Sequence, residues 1–116
     1  MAVAQRIARR HARIRFGSDS AIAADTWLYE RGTEKTFNAR ITVLGLGGLF
    51  LETGTASSEG SLVSLSFNLP AQLSPILCSG IVRDGLPGRG VGLEFLDMAS
   101  SDRARLGAFI TQTRQA

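Results

Sequence analysis

Arginine is concentrated at the start of this 116-residue chain, where its side chains could hold an anion. The first sixteen residues contain His11, no acid, and five arginines: Arg6, Arg9, Arg10, Arg13 and Arg15. A guanidinium group is a planar fork of donors that pairs with phosphate oxygens and whose face stacks on flat rings. Cations in this number, without counter-charges, predict a contact with an anionic partner.

The positive charge of the chain is local. The formal net charge is +3, yet the eight basic residues outside the first sixteen positions are outnumbered by ten acids. Lys35 is the single lysine of the sequence. A basic segment on an otherwise acidic body indicates one specific anionic contact rather than a general coating of nucleic acid.

Residues that could catalyse a reaction do not occur in a paired arrangement. His11 has no acid near it that could orient an imidazole, and GLGG at 45–48 is not followed by the Lys and Ser/Thr of a phosphate loop. No group of His, Cys and carboxylates has the spacing of a metal site. Cys78 lies in an apolar run and is interpreted as a small buried hydrophobe. The sequence therefore predicts a binding module, not an enzyme, with no metal and no cofactor.

The segments that must position the arginines are mostly strands. Apolar and polar residues alternate with period two in most of the predicted strands, which lie at 21–30, 36–45, 61–70, 76–83 and 91–97. Glycines in the segment 44–53 indicate a bulge or a close backbone contact. One apolar face is predicted for Phe37, Ala39, Ile41 and Val43. After these strands Ser100 or Ser101 can cap a helix whose apolar stripe is Leu106, Phe109 and Ile110.

This order of elements predicts a small barrel or sandwich with a C-terminal helix across one open end. The length fits a single domain. We divide it into a basic N-terminal arm at 1–16 and a body at 17–116, joined at the turn-forming segment GSDS.

Four segments in the same order and spacing resemble a PilZ domain. They are RRHAR at 9–13, LGLGGLFLET at 44–53, GSLVSLSFNLP at 60–70 and GRGVGLEFLDMASSDRARLGAFI at 88–110. The resemblance covers nearly the whole chain. It implies a six-stranded antiparallel β-barrel with one C-terminal helix and a flexible basic arm. It also implies a bacterial, cytoplasmic receptor for the second messenger cyclic di-GMP, in signalling that governs motility and biofilm formation.

The first ligand motif of that family, Arg-x-x-x-Arg, matches Arg9 and Arg13, with Arg10 between them. Arginine suits this ligand because its fork can pair with phosphate oxygens or with guanine O6 and N7, and its face can stack on a purine. The resemblance therefore implies that Arg9, Arg10 and Arg13 contact cyclic di-GMP as the arm closes on the nucleotide.

The second motif, Asp/Asn-x-Ser-x-x-Gly, falls on Val43, Gly45 and Gly48, and only Gly48 matches. In the family the first two side chains help to read a guanine. Valine offers no hydrogen-bonding group and glycine only its backbone. Each contact that is not made costs about 1–3 kcal/mol, which is tenfold or more in affinity.

Two interpretations of this departure stay open. In one, the site is weakened and the arginine arm supplies most of the binding, with Gly48 retained beside it. In the other, the chain is a degenerate PilZ module that no longer binds the nucleotide and acts as a protein–protein adaptor, for example in pilus or motility machinery. The spacing of Arg9 and Arg13 favours the first. Val43, as the end of an apolar face, favours the second.

Other partners and locations follow from simpler features. A general nucleic-acid binder would need an aromatic platform beside the arm, where only Phe16 is close, so nucleic acid is not expected. No apolar run approaches the ~20 residues of a membrane span. An arginine-rich, acid-free start also fits a transit peptide. Because one cysteine cannot form an internal disulfide, a reducing compartment is favoured, and we expect a cytoplasmic protein. The partners that we expect are cyclic di-GMP and another protein.

Overall fold

The computed structural model describes residues 13–17, 19–55 and 57–115. In this part of the chain seven strands precede one helix. The strands are β1 (Arg13–Arg15), β2 (Ile22–Glu30), β3 (Thr33–Gly45), β4 (Gly48–Glu52), β5 (Leu62–Phe67), β6 (Ile76–Leu86) and β7 (Gly90–Met98), and the helix is α1 (Ser100–Gln115).

Six of these strands close into an antiparallel barrel. They follow the order β3–β2–β5–β6–β7–β4, and β4 pairs in turn with β3. Closure removes the free sheet edges that would otherwise expose unpaired backbone groups. The predicted six-stranded antiparallel barrel with a C-terminal helix is thus confirmed.

β1 is a further strand that extends one side of β3. β2 pairs with β3 as far as Ile41, and β1 then takes over, with Ile14 opposite Leu44. The backbone N–H of Phe16 donates to the carbonyl of Thr42 at 2.9 Å and continues this pairing. The described end of the segment assigned to the arm is therefore hydrogen-bonded to the barrel.

The β2–β3 hairpin is closed by a tight turn at Arg31 and Gly32. Arg31 and Gly32 both have positive φ values, 52° and 75°. Two consecutive residues of this kind are typical of a type I′ turn, whose twist matches that of the flanking strands. Strand β6 continues to Leu86, so only residues 87–89 separate it from β7.

The barrel interior is filled by apolar side chains from alternating strand positions. Fully buried members include Leu28, Ile41, Leu44, Leu49, Leu51, Leu65, Phe67, Ile76 and Leu93. On strand β5 the alternating residues Val63, Leu65 and Phe67 are all buried. Burial of this kind stabilises the fold by roughly 25 cal/mol for each Å² of apolar surface removed from water.

One prediction about the core is wrong. The ladder between β3 and β4 shifts register between Ile41 and Val43. Ala39 and Ile41 are buried as expected, but the next buried side chain is Leu44, while Val43 is half-buried. A bulge adds one residue to a strand and so reverses the alternation beyond it. Val43 therefore does not continue the buried face, and it points to the outside of the barrel.

Helix α1 covers one end of the barrel with the predicted apolar stripe. Leu106 and Ile110 are buried, and Phe109 packs against the core. The rings of Phe109 and Phe16 are stacked, with centroids 6.4 Å apart and an interplanar angle of 17°. The helix thereby packs against the end of β1 and helps to fix that strand on the barrel.

Candidate ligand-binding pocket

Strand β1 directs two arginines to the outside of the barrel. Arg13 and Arg15 flank the buried Ile14, so the period-two alternation of a strand puts both on the opposite face. The register places Arg13 opposite Gly45 and Arg15 opposite Val43. The arginines are therefore cross-strand neighbours of the two positions at which the second ligand motif is not matched.

These arginines line a surface pocket of about 440 Å³. Small-molecule sites in proteins have volumes of about 300–1,000 Å³. The remaining lining residues come from β3, from β4 and from the β6–β7 turn: Thr42, Val43, Phe50, Glu52, Leu86, Gly88 and Arg89. Segments far apart in sequence thus meet around one concave surface.

The β6–β7 turn is held against the end of β4 by backbone hydrogen bonds. The N–H of Arg89 donates to the carbonyl of Leu86 at 2.9 Å, and the N–H of Thr53 donates to the carbonyl of Arg89 at 3.3 Å. At Gly90 a Cβ atom would overlap the carbonyl group of Leu51. This close passage of the backbone brings Arg89 to the rim of the pocket.

The charges around the pocket favour an anion. Three guanidinium groups, on Arg13, Arg15 and Arg89, face one carboxylate, on Glu52. A concave surface with this excess of positive charge raises the local concentration of anionic ligands. Three guanidinium groups could pair with two phosphates, since each presents a fork of donors.

The pocket also has an apolar wall. Val43, Phe50 and Leu86 line it beside the charged groups. An aromatic ring offers a stacking surface to any nucleic acid base, because every base has a π-face. The combination of guanidinium groups and an aromatic wall suits a ligand that has both phosphates and flat rings.

The sequence-predicted site residues are only partly brought together. Arg13 lines the pocket. Gly48 is buried at the start of β4, opposite Glu94 of β7, and is not among the residues that line the pocket. Arg9 and Arg10 lie outside the described residues.

Several lining residues were missed in the sequence. Arg15 could have been found, since it shares a strand face with Arg13 once 13–15 is taken as a strand. Glu52 and Arg89 could not, because their place depends on the pairing of β4 with β7. No local sequence pattern predicts the pairing of β4 with β7.

Outside the pocket, the cysteine behaves as a structural residue. Burial, with a smaller contribution from the negative charge of Asp102, raises the pKa of Cys78 to about 12. The thiol is therefore protonated at neutral pH, and the thiolate is the reactive form. Among the described residues no group of three or more His, Cys, Asp or Glu side chains is placed to hold a metal ion.

A closed antiparallel barrel with a terminal helix and a cationic surface pocket is the architecture of a small β-barrel binding module. Residues 7–112 match the model of the PilZ domain, and the chain belongs to the PilZ family. PilZ domains are ligand-binding or adaptor modules rather than enzymes. A comparison with curated protein sequences finds no significant match.

Solved structures share this fold, among them two that match over 92% of this chain. One is the PilZ domain with c-di-GMP of YcgR from Escherichia coli, with a TM-score of 0.71 and 18% identity, covering 92% of each chain. The other is the inhibitor of motility MotI/DgrA from Bacillus subtilis, with a TM-score of 0.72 and 17% identity over 92% of this chain. The present chain spans about half, 51%, of that MotI/DgrA chain.

The helix of the described part of the chain is not a membrane span. Across 13–17, 19–55 and 57–115, no helix combines the length and the hydropathy that crossing a bilayer requires.

Proposed function

We propose that this chain is a cytoplasmic cyclic di-GMP effector in bacterial second-messenger signalling, with no enzymatic activity of its own. The observation that carries this proposal is the convergence of two motif positions in one pocket. Arg13, the second arginine of Arg-x-x-x-Arg, lines the same concave surface as Val43, the first position of the barrel motif. The E. coli YcgR structure of the same fold contains c-di-GMP.

The chemistry of the pocket supports a cyclic dinucleotide. Guanidinium groups of Arg13, Arg15 and Arg89 pair with the two phosphates or with guanine O6 and N7. Phe50 gives a base an aromatic surface. The affinity lost through the absent amide and hydroxyl side chains is thereby partly offset by cations beyond the family motif.

The arm completes this site from the N-terminal side. The arm ends with β1, whose Arg13 lines the pocket. In the sequence Arg9 precedes Arg13 by four residues and Arg10 precedes it by three. In the proposed mechanism the arm closes on the nucleotide through Arg9, Arg10 and Arg13. Closure changes the surface that is presented to a protein partner.

Isothermal titration with cyclic di-GMP tests this function. The wild-type protein is expected to bind with micromolar or tighter affinity. Arg9→Ala/Arg13→Ala is expected to lose binding, whereas Arg31→Ala/Arg114→Ala, which removes the same charge away from the pocket, is expected to keep it. The absence of heat from the folded wild-type protein at high ligand concentration would overturn the proposal.

The structure also contains a feature that favours an adaptor without a nucleotide. On the outer face of the barrel, Tyr29 of β2 lies directly opposite Leu62 of β5, which lies opposite Ile81 of β6. Tyr29 is 41% and Leu62 is 49% exposed. Exposed apolar side chains that adjoin one another are typical of protein interaction surfaces.

The titration separates the two functions. An adaptor of this kind gives no heat with cyclic di-GMP in either the wild-type protein or its arginine variants. Circular dichroism spectra that match a folded barrel would then show that the missing heat does not reflect an unfolded protein. Binding that is lost in Arg9→Ala/Arg13→Ala assigns it to the pocket.

A further inference from the structure

Glu52 is an unexpected residue in a pocket for phosphates. It is the carboxylate among three arginines that line the same surface. A carboxylate repels phosphate oxygens, so it weakens a site whose ligand offers phosphates alone. The arginines around it stabilise its charge, and it favours a ligand that also brings hydrogen-bond donors to it.

The strand register places Glu52 near Val43, the first position at which the family motif is not matched. Phe50 is directly opposite Val43 in the β3–β4 ladder, and Glu52 is two residues further along β4. Residues two apart on a strand share a face, about 7 Å apart. Phe50 and Glu52 therefore stand on the outer face with Val43, and all three line the pocket.

The backbone at Glu52 is fixed on both sides. The residue pairs with Arg40 of β3 and with Gly90 of β7. The next residue, Thr53, donates its N–H to the carbonyl of Arg89. The side chain is exposed, and its cross-strand neighbour on the outer face is Arg40. A carboxylate held at a fixed strand position can discriminate between ligands, since little ordering is needed when the ligand binds.

Guanine presents the donors that such a carboxylate requires. Its Watson–Crick edge carries N1–H and the N2 amino group side by side, and a carboxylate can accept from both with its two oxygens. Adenine has an acceptor at N1 and no amino group at C2. A carboxylate at this edge would therefore favour guanine and oppose adenine.

On the basis of the proposed nucleotide-binding function, we infer that Glu52 is a specificity residue whose carboxylate accepts hydrogen bonds from N1–H and N2–H of a bound guanine. It takes the role of the side chains that Val43 and Gly45 do not provide. The base lies against Phe50 while the arginines of the pocket hold the phosphates. In this arrangement guanine is recognised by Glu52 of β4 rather than by side chains at the end of β3.

Titrations with two cyclic dinucleotides test this inference. Wild-type protein, Glu52→Gln and the control Glu59→Gln are each titrated with cyclic di-GMP and with cyclic di-AMP. Glu59 is exposed in a loop and does not line the pocket. Glu52→Gln removes the charge with little change of shape, and thermal melting checks that each variant is folded.

We expect Glu52→Gln to bind cyclic di-GMP at least tenfold more weakly than wild type. Its preference for cyclic di-GMP over cyclic di-AMP should fall by a similar factor, since a neutral amide no longer opposes adenine. Glu59→Gln should behave as wild type. A preference that is unchanged in Glu52→Gln overturns the inference and leaves the proposed function standing. A wild-type protein that binds neither nucleotide overturns both.

Discussion

Arg13 and Gly45 lie directly opposite each other in the antiparallel register of β1 and β3. Gly45 has no side chain, so nothing on β3 projects beside the arginine at this position. The same register sets Arg15 opposite Val43. Both departures from the family motif are therefore cross-strand neighbours of arginines, and one of them, Val43, lines the pocket with those arginines.

Val43→Asn is expected to strengthen cyclic di-GMP binding. Val43 lines the pocket on the outer face, so an amide there can hydrogen-bond a guanine without entering the core. One recovered contact is worth about 1.4 kcal/mol, or tenfold in affinity. Isothermal titration measures the change.

Val43→Ala serves as the control, because it removes the valine side chain beyond Cβ and adds no polar group. Its affinity should stay near that of wild type. Equal affinities for Val43→Asn and Val43→Ala would contradict the placement of residue 43 against the nucleotide.

Gly90→Ala is expected to destabilise the fold. A Cβ atom at position 90 would overlap the Leu51 carbonyl and the ring of Phe50, and the residue has a φ of 154°. Overpacking of this kind lowers the free energy of unfolding by about 1–3 kcal/mol. In a small domain each kcal/mol corresponds to a fall in melting temperature of roughly 4–8 °C. Thermal unfolding followed by circular dichroism measures it.

Gly54→Ala is the control for this prediction. A Cβ atom at Gly54 meets nothing within 4 Å. Its melting temperature should therefore stay close to that of wild type. A Gly90→Ala protein as stable as Gly54→Ala would show that the β6–β7 turn is not pressed against β4.

Glu30 is expected to make stability depend on pH. Its Oε2 accepts hydrogen bonds from the N–H of Ser58 and the hydroxyl of Ser61, each at 2.7 Å. Both bonds lower the pKa of Glu30 from its ordinary value of 4.5, and the bond from the N–H of Ser58 has the larger effect. A carboxylate with a lowered pKa in the folded state stabilises the protein above its unfolded pKa, and this contribution is lost as the pH falls through the folded pKa.

Urea unfolding of wild type and Glu30→Gln at pH 7 and at pH 3 tests this dependence. Wild type should be the more stable protein at pH 7, and the difference should shrink at pH 3. Glu59→Gln, in the loop that carries Ser58 and Ser61, should give no such trend. A difference that is as large at pH 3 as at pH 7 would rule out a contribution from the ionised carboxylate.

The parts of the fold that could be predicted are those whose signal is local. Strand β5 alternates Val63, Leu65 and Phe67 with serines, and this pattern alone fixes both the strand and its buried face. The stripe of Leu106 and Ile110 does the same for α1. In both cases the period of the sequence matches the period of the element.

The parts that could not be predicted depend on distant pairing. β1 has only three residues, and its arginines give it the composition of a solvated arm. The bulge at Ile41/Val43 arises from the β3–β4 ladder, and no residue type marks it. The place of Arg89 likewise depends on how the β6–β7 turn meets β4. Among the described residues, the sequence therefore predicted Arg13 as a site residue but not the other side chains that line the pocket.

Arg105→Ala is expected to loosen the segment that connects β5 to β6. Its guanidinium group donates to the carbonyls of Ser74 at 2.9 Å and Pro75 at 3.1 Å, to Oε1 of Gln72 at 3.0 Å and to Asp102 at 3.0 Å. The helix is thereby tied to that segment by one side chain. Loss of the guanidinium group leaves these acceptors without their donor, and it should lower the free energy of unfolding by about 1–3 kcal/mol.

Chemical unfolding and hydrogen exchange of residues 72–77 measure this effect. Arg103→Ala is the matched control on the same helix, since Arg103 donates one hydrogen bond, to the carbonyl of Leu46 at 3.3 Å. It should lose less stability and leave exchange in the β5–β6 segment unchanged. Arg105→Lys should recover little, because an ammonium group does not reproduce the planar fork that reaches Ser74 and Pro75 together. Equal losses in Arg105→Ala and Arg103→Ala would mean that the segment is held by its other contacts, such as those of the Asn68 amide with the carbonyls of Gln72 and Leu73.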